Sequence, residues 1–324
     1  MSSQTISFHH SKKLPRLIVS DLDGTLLNQN HAISRRSIEA LLYAQQKGIQ
    51  FMVATGRPPR SVHDLFSGQI TPNAVLCSNG ALSFDPKARV VSNLTFVDHQ
   101  KSLAMVRDLA ANIASSPVVS SNGIPPSERA GFSCEVVYVE GVTAEGEPIY
   151  SNDTYFVCDR IWQLEQLHLV PGEFTPVDGM LEFLESLQHP NSTRRGGIVK
   201  LLALDRARTA SEVYESLSTN IHESLSIVYS TPHFLEIAAM GMHKAVGLEK
   251  YCKANGIHVD DVVAFGDFLN DIEMLEFAGL GLCMGNGHED VKKVADRVIG
   301  TNVEDGVARE IESWFDLNIT IIEE

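Results

Sequence analysis

The stretch Leu17-Ile18-Val19-Ser20-Asp21-Leu22-Asp23-Gly24-Thr25-Leu26 decides the fold and locates the chemistry. A short, mainly apolar run of this kind reads as a strand buried on both faces. It ends abruptly in two carboxylates and a glycine. Residues i and i+2 of a strand point to one side, so alternation places Asp21 and Asp23 toward a common site with Leu22 turned away. Gly24 then permits a sharp turn. Alone, an Asp-x-Asp after a strand is more often a turn or a helix cap than a site.

The flanking sequence repeats the pattern. Ser34 opens a helix that Gly48 ends, and Ile49–Val53 is a second buried strand running into Ala54-Thr55-Gly56-Arg57-Pro58. A helix is expected from about Arg60 to Phe66, then a third strand, Ala74–Cys77, ending at Ser78-Asn79-Gly80. Strand and helix alternate through short connections, the grammar of a parallel sheet built from βαβ units. From about Leu82 to Gly241 the order becomes mixed. Helices are expected at Lys101–Ile113, Asp159–Leu167 and Ala207–Ser218, and strands at Cys134–Val139, Gly197–Leu204 and Phe234–Ala238. Pro125–Gly131 and Leu169–Gly197 read as loops, the second with a short embedded helix. From Met242 the βαβ order returns: helix His243–Asn255 stopped by Gly256, strand Val262–Phe265 ending in Gly266-Asp267, helix Asn270–Ala278, strand Gly281–Met284 and helix Glu289–Ala295. The expected architecture is α/β, a Rossmann-like doubly wound parallel sheet over 14–82 and 241–324. An α+β domain over 83–240 is inserted into it, and 1–13 form a disordered tail.

Composition narrows the partners. The 324 residues carry a formal net charge of −15, which argues against a nucleic-acid ligand, since phosphate backbones are bound by clustered Lys and Arg. No apolar run approaches the roughly 20 residues that span a bilayer. The five cysteines, at 77, 134, 158, 252 and 283, show neither a C-x-x-C pair nor zinc spacing and read as free thiols in a reducing, cytoplasmic compartment. The polar stretch Met1–Pro15 reads as a fraying tail, with the remnant of an organellar transit sequence as the other option. Nothing marks an oligomer interface.

Separate core strands thus end in Asp21/Asp23, Thr55 and Asp267. In open parallel sheets ligands bind beyond the carboxyl ends of the strands, so these groups are expected to converge. Asp21, Asp23 and Asp267, with Asp271 close by, would repel one another in an empty site. A hard divalent cation such as Mg²⁺ removes that conflict. Thr55 and the Gly56 N–H suit an anion. Lys244 opens a helix, where its charge is misplaced against the positive end of the dipole unless an anion sits there. Asn270 and Asp271 are also good helix caps.

In these motifs the chain resembles the haloacid dehalogenase superfamily, in particular the Cof-type phosphatases with a C2-type (C2B) cap. The matching residues are Asp21-Leu22-Asp23-Gly24-Thr25-Leu26, Ala54-Thr55-Gly56-Arg57-Pro58, Lys244 within His243–Leu248, and Gly266-Asp267-Phe268-Leu269-Asn270-Asp271. Ser78-Asn79-Gly80-Ala81, Met284-Gly285-Asn286-Gly287 and Glu304-Asp305-Gly306-Val307-Ala308 add to the likeness. The resemblance implies Mg²⁺-dependent hydrolysis of a small phosphorylated metabolite (a sugar phosphate, flavin mononucleotide, pyridoxal phosphate or similar). Asp21 is then nucleophile, forming an aspartyl-phosphate, and Asp23 acid and base. Thr55, Gly56, Lys244 and Asn270 hold phosphate. Asp21, the Asp23 backbone carbonyl and Asp267 hold the metal, supported by Asp271. Arg57, Ser78, Asn79 and Gly80 are the expected substrate contacts, Arg57 reaching a second anion or making a core–cap ion pair. The alternatives on the same scaffold are a phosphomutase and a non-catalytic ligand-binding protein. The insertion is longer than the family needs around Gly123–Tyr150 and Leu169–Gly197.

Overall fold

β1 (Leu17–Ser20) is buried along its whole length, and the first sheet is arranged around it. The computed structural model describes residues 14–66, 70–115, 123–165, 172–189, 192, 194–229 and 232–315. The expected tail, 1–13, lies outside them, as do the last residues of the helix expected at Asp159–Leu167. β1 is followed by β2 (Gln50–Ala54), β3 (Ala74–Cys77), β4 (Leu82–Asp85) and β5 (Val90–Ser92). Next come β6 (Ala130–Val142), β7 (Pro148–Tyr150), β8 (Tyr155–Asp159), β9 (Thr175–Val177), β10 (Gly196–Asp205), β11 (Leu225–Val228) and β12 (Leu235–Ala239). β13 (Val262–Gly266), β14 (Leu280–Cys283) and β15 (Arg297–Val298) complete the set.

The first sheet runs β15-β14-β13-β1-β2-β3-β4-β5, parallel from β15 to β3. Chain order reverses at β1, which has β2 on one side and β13 on the other. That reversal opens a crevice at the carboxyl end of β1, where open α/β sheets bind ligands. Ile18 packs into one apolar layer, Leu17 and Val19 into the other, so helices cover both faces. This is the doubly wound α/β architecture, with an α+β unit inserted. β4 and β5, which the sequence assigned to the insertion, are instead the antiparallel edge of the first sheet. Their alternating burial, as in Leu82 and Phe84 inward with Asp85 exposed, is that of a half-covered edge. It imitates the polarity of the insertion, hence the misplacement.

Two helices also differ from expectation. Arg60–Phe66 contributes only a 3₁₀ turn, Pro59–Ser61, followed by further turns. Ala207–Ser218 shortens to Ala210–Ser216, capped by Thr209, and a separate helix, Thr219–Ser224, follows. The loop expected over Leu169–Gly197 does hold a short helix, Met180–Gln188. No helix of the described residues is long and apolar enough to cross a membrane. All five cysteines are buried and free.

The second sheet has order β11-β12-β10-β6-β8-β9, with β7 paired to β6. One of its faces carries Phe132, Cys134, Val136, Leu201, Ala203, Leu235 and Ile237 into an apolar layer shared with the helices His99–Ser115 and Met180–Gln188. Period-2 alternation turns Ser133, Glu135, Leu202 and Glu236 the other way. Cross-strand pairing confirms the row: Leu202 opposes Ser133 on one side and Glu236 on the other. An irregularity in pairing between Ile198 and Lys200 inserts Val199, so Ile198 stays on the helix side while Lys200 joins the opposite face beside Glu135. Val137 and Val199 pack into the apolar layer of the first sheet, which presses this face onto the carboxyl end of β1.

A buried ion cluster locks the register of β6 and β10. Arg129, just before β6, donates to Asp205 at the end of β10 through Nε (2.9 Å) and Nη2 (2.6 Å), and Arg208 adds Nε at 2.6 Å. Burial opposes the Asp205 charge, but hydrogen bonds from Arg129, Ala207 N–H and Arg208 hold its pKa below the ordinary value. Removing one member of such a cluster strands the others without solvent. Asp205→Ala is expected to cost about 3–5 kcal/mol of unfolding free energy in urea titrations at neutral pH. Because the folded-state pKa is depressed, that difference should shrink as pH falls below about 4, where the unfolded chain binds a proton that the folded Asp205 still lacks, and vanish once the folded carboxylate is protonated as well.

Candidate active site

The last β1 hydrogen bond runs from Asp21 N–H to Phe265 O (2.9 Å). Beyond it the chain enters one wide turn, Leu22–Leu26, closed by Leu27 N–H to Leu22 O (2.8 Å), with Asp23 and Gly24 outside helical geometry and Gly24 at φ +79°. The strand alternation expected for Asp21 and Asp23 therefore does not apply. Asp21 is buried at the strand end, whereas Asp23 is carried out on the turn and half-exposed. Both nevertheless line the same cavity of about 480 Å³. Gly24 is required twice over: its φ is left-handed, and a Cβ there would lie 2.2 Å from Asp267 Oδ2.

Asp267 leaves the end of β13 and accepts from Thr25 Oγ1 at 2.7 Å, tying that turn to it. Asp271, fully buried, accepts from the backbone N–H of Asp267 (2.9 Å) and Phe268 (3.0 Å), which fixes the loop. Gly266 makes this possible, since its own Cβ would sit 2.6 Å from that of Asp271. Lys244, the first residue of helix Lys244–Asn255, has no exposed surface and lies between two carboxylates. Its Nζ donates to Asp21 Oδ1 at 2.5 Å and to Asp271 Oδ1 at 2.6 Å. The helix start is seated on the turn Ser78–Gly80, where a Cβ on Gly80 would meet His243 O at 2.8 Å.

The electrostatics follow from burial. Desolvation pushes the Asp21 pKa well up; Lys244 pulls it down, and Asp271 and Asp267 push it up again. Asp267 is pushed to about 6, by burial first and by the Asp271 charge second. Burial works against the Lys244 charge, but Asp21 and Asp271 outweigh it and raise its pKa, so it stays a cation. Carboxylate oxygens of Asp21, Asp267 and Asp271 lie within 4.8 Å of one another, and one ammonium cannot neutralise them all. That donor set, all hard oxygens with an excess of negative charge, fits a divalent cation of the Mg²⁺ kind.

Thr55 and Gly56, at the end of β2, line the cavity beside Asp21, and Thr55 Oγ1 accepts from Arg57 N–H at 3.1 Å. Arg57 clamps the Asp23 carboxylate with Nε (2.7 Å) and Nη2 (2.5 Å), a pair made within the first unit rather than between units. Arg60 instead makes an inter-unit ion pair, 2.6 Å from Glu135 and stacked over the Phe156 ring at 4.8 Å. Asn270 lines the cavity and donates to Asn79 Oδ1 at 3.1 Å. Ser78, Asn79 and Gly80 are buried behind the cavity wall; Ser78 and Asn79 border a smaller adjoining hollow. Arg194 and Arg195 are exposed, and Trp162 is buried in an apolar cluster with Phe156.

The residues missed by sequence reading are those that close the cavity from the insertion: Lys200, Leu202, Phe234 and Glu236. Phe268 from the Asp267 loop was missed as well. A signal existed. Lys200 and Glu236 are lone charges inside the apolar strands Ile198–Leu202 and Leu235–Ile237, where an unpaired charge is costly.

Comparison with known proteins agrees with this geometry. A family model described as haloacid dehalogenase-like hydrolase matches residues 18–123 and 152–311. Phosphatase YwpJ of Bacillus subtilis is 29% identical over 304 residues, covering 90% of this chain and 97% of that one. The 5-amino-6-(5-phospho-D-ribitylamino)uracil phosphatase YcsE of the same organism is 28% identical, covering 92% and 95%. Among solved structures, the phosphatase BT1666 of Bacteroides thetaiotaomicron shares the fold, with TM-score 0.67, 23% identity, and coverage of 98% and 100%.

The raised pKa of Asp267 has a measurable consequence. Between about pH 4 and about pH 6 the metal-free folded state keeps a proton that the unfolded chain has lost, so stability falls as pH rises. A divalent cation takes that proton's place. Addition of MgCl₂ is expected to raise the thermal midpoint more at about pH 8 than at about pH 5, and Asp267→Asn should remove most of the difference. An equal shift at both pH values would count against a cation held by these carboxylates.

Proposed function

Since the chain belongs to the haloacid dehalogenase-like hydrolases, we propose that it is a Mg²⁺-dependent phosphatase of small phosphomonoesters that works through an aspartyl-phosphate on Asp21. One observation carries the reading: Asp21, at the topological switch point, has one carboxylate oxygen held by Lys244 and faces a cavity bordered by Asp23, Thr55, Gly56, Asp267 and Asn270. A nucleophilic carboxylate, a second carboxyl group for proton transfer and donors for a phosphoryl group are thereby gathered in one place.

In this mechanism an oxygen of Asp21 attacks phosphorus as the bond to the ester oxygen breaks. Asp23 gives its proton to that oxygen. Water then attacks the aspartyl-phosphate, Asp23 takes the proton back, and inorganic phosphate leaves. Lys244 fixes the Asp21 carboxylate and adds positive charge beside the phosphoryl oxygens, while Thr55, the Gly56 N–H and Asn270 donate to them. Asp21, Asp267 and the Asp23 carbonyl would hold Mg²⁺, with Asp271 fixing the Asp267 loop, and the ion when bound offsets charge between nucleophile and phosphate. Arg57 must release Asp23 for proton transfer, so its clamp describes the resting site. The insertion acts as a cap, pressed onto the site through Arg60–Glu135 and the Lys200 Nζ to Gly56 O contact at 3.1 Å, and it excludes water.

The class of substrate is a small phosphorylated metabolite, for which the uracil derivative named in YcsE supplies one candidate. Phosphate release across a panel of such esters tests the proposal. Activity should vanish in EDTA. Asp21→Asn should lower kcat by roughly a thousandfold or more. Asp23→Asn should cost roughly 10²–10⁴-fold. Near-normal release by Asp21→Asn protein would refute the mechanism.

A further inference from the structure

The wall that the insertion gives the cavity is chemically divided. Lys200 and Glu236 form an ion pair there, with 9% and 7% of their surface exposed. Leu202 and Phe234 from the insertion and Phe268 from the Asp267 loop supply apolar surface. Phe234 is steadied by its ring contact with Trp162, centroids 5.5 Å apart.

A buried ion pair is a poor choice if the only task is to hold two units together, because apolar residues of similar size do that at least as well. Lys200 also retains hydrogen-bonding capacity. Of the three donors of its ammonium group, Gly56 O takes one at 3.1 Å and Glu236 a second. The third is left to the cavity that Lys200 lines. Glu236 Oε2 accepts from Asn79 Nδ2 at 3.4 Å, so the carboxylate is anchored in place rather than free to swing away. The second sheet sets these positions by register: Glu236 opposes Leu202 across β12 and β10, and Lys200 stands two residues earlier on the same face.

A ligand that satisfies this wall needs a flat apolar face for Leu202 and Phe234. On its edge it needs an acceptor for Lys200 next to an N–H for Glu236. We propose that Lys200 and Glu236 are specificity-determining residues that read the edge of a heterocyclic leaving group, one whose ring carries a carbonyl or ring nitrogen beside an N–H. This rests on the phosphatase reading for the phosphoryl end of the substrate. A hexose would meet the charged pair but place hydroxyls against Leu202 and Phe234, where they lose water without gaining partners.

The test compares the full chain with Lys200→Met and Glu236→Gln, in MgCl₂, on three esters. Flavin mononucleotide has a flat ring with an amide edge, p-nitrophenyl phosphate a flat ring with no N–H edge, and a hexose phosphate no flat face. The unaltered chain should prefer flavin mononucleotide to the hexose phosphate. In each variant the ratio of kcat/KM for flavin mononucleotide over p-nitrophenyl phosphate should fall by about tenfold, mainly through KM. Partial unfolding or a loosened cap lowers both rates together and cancels in the ratio. A ratio unchanged within about twofold, or a preference for the hexose phosphate, overturns the proposal. Calorimetric titration of flavin mononucleotide into the same variants reads the contacts without turnover. Binding that weakens about tenfold in a chain releasing no phosphate would keep this inference and reject the phosphatase reading instead.

Discussion

The ammonium of Lys244, wedged without solvent between Asp21 and Asp271, is the contact on which the site depends. It joins three parts of the chain that are far apart in sequence: the end of β1, the start of the helix after the insertion, and the loop after β13. Each is otherwise free to be positioned by its own packing. A lysine at a helix start opposes the helix dipole, and burial opposes its charge, so both local preferences are overridden by the two carboxylates. The same contact orients Asp21, the nucleophile of the proposed mechanism. By occupying Oδ1 it leaves the remaining oxygen of Asp21 to face the cavity.

Around this contact the carboxylates of Asp21, Asp267 and Asp271 accumulate more negative charge than Lys244 alone offsets. Thr25 and the backbone amides of Asp267 and Phe268 distribute it by hydrogen bonding but do not cancel it. An apo site of this kind holds protons it would not hold in water, and in the proposed mechanism the cation and the phosphoryl group would enter a field already prepared for them. The glycines at 24 and 266 serve the same end, since any side chain there would occupy the space of a catalytic-loop carboxylate.

Much of this was legible in the sequence because it is local. Strand ends marked by Asp21, Thr55 and Asp267 follow from apolar runs of strand length, and the doubly wound order follows from alternation of strands and helices. Three features were not legible, for different reasons. The departure of Asp23 from strand geometry depends on where pairing with β13 stops, which is a property of two strands and not of one. The placement of β4 and β5 was hidden because an edge strand and a strand of the insertion have the same alternation. Lys200 and Glu236 come together only through the antiparallel register of β6, β10 and β12, and register is set by long-range packing.

The extra residue at Val199 has a consequence for how this enzyme can change. The phase of a strand has only two values, so the wall that β10 offers to the cavity is binary. With Val199 present, Lys200 and Leu202 face inward. A one-residue slip that brought Val199 into regular pairing opposite Glu135 would exchange them for Leu201 and Ala203, converting a charged and apolar wall into a wholly aliphatic one in a single step. Point substitutions refine such a wall gradually, but a slip of register that absorbs the bulge replaces it outright. Divergence of substrate choice on this scaffold can therefore proceed by jumps, with the chemistry around Lys244 left untouched.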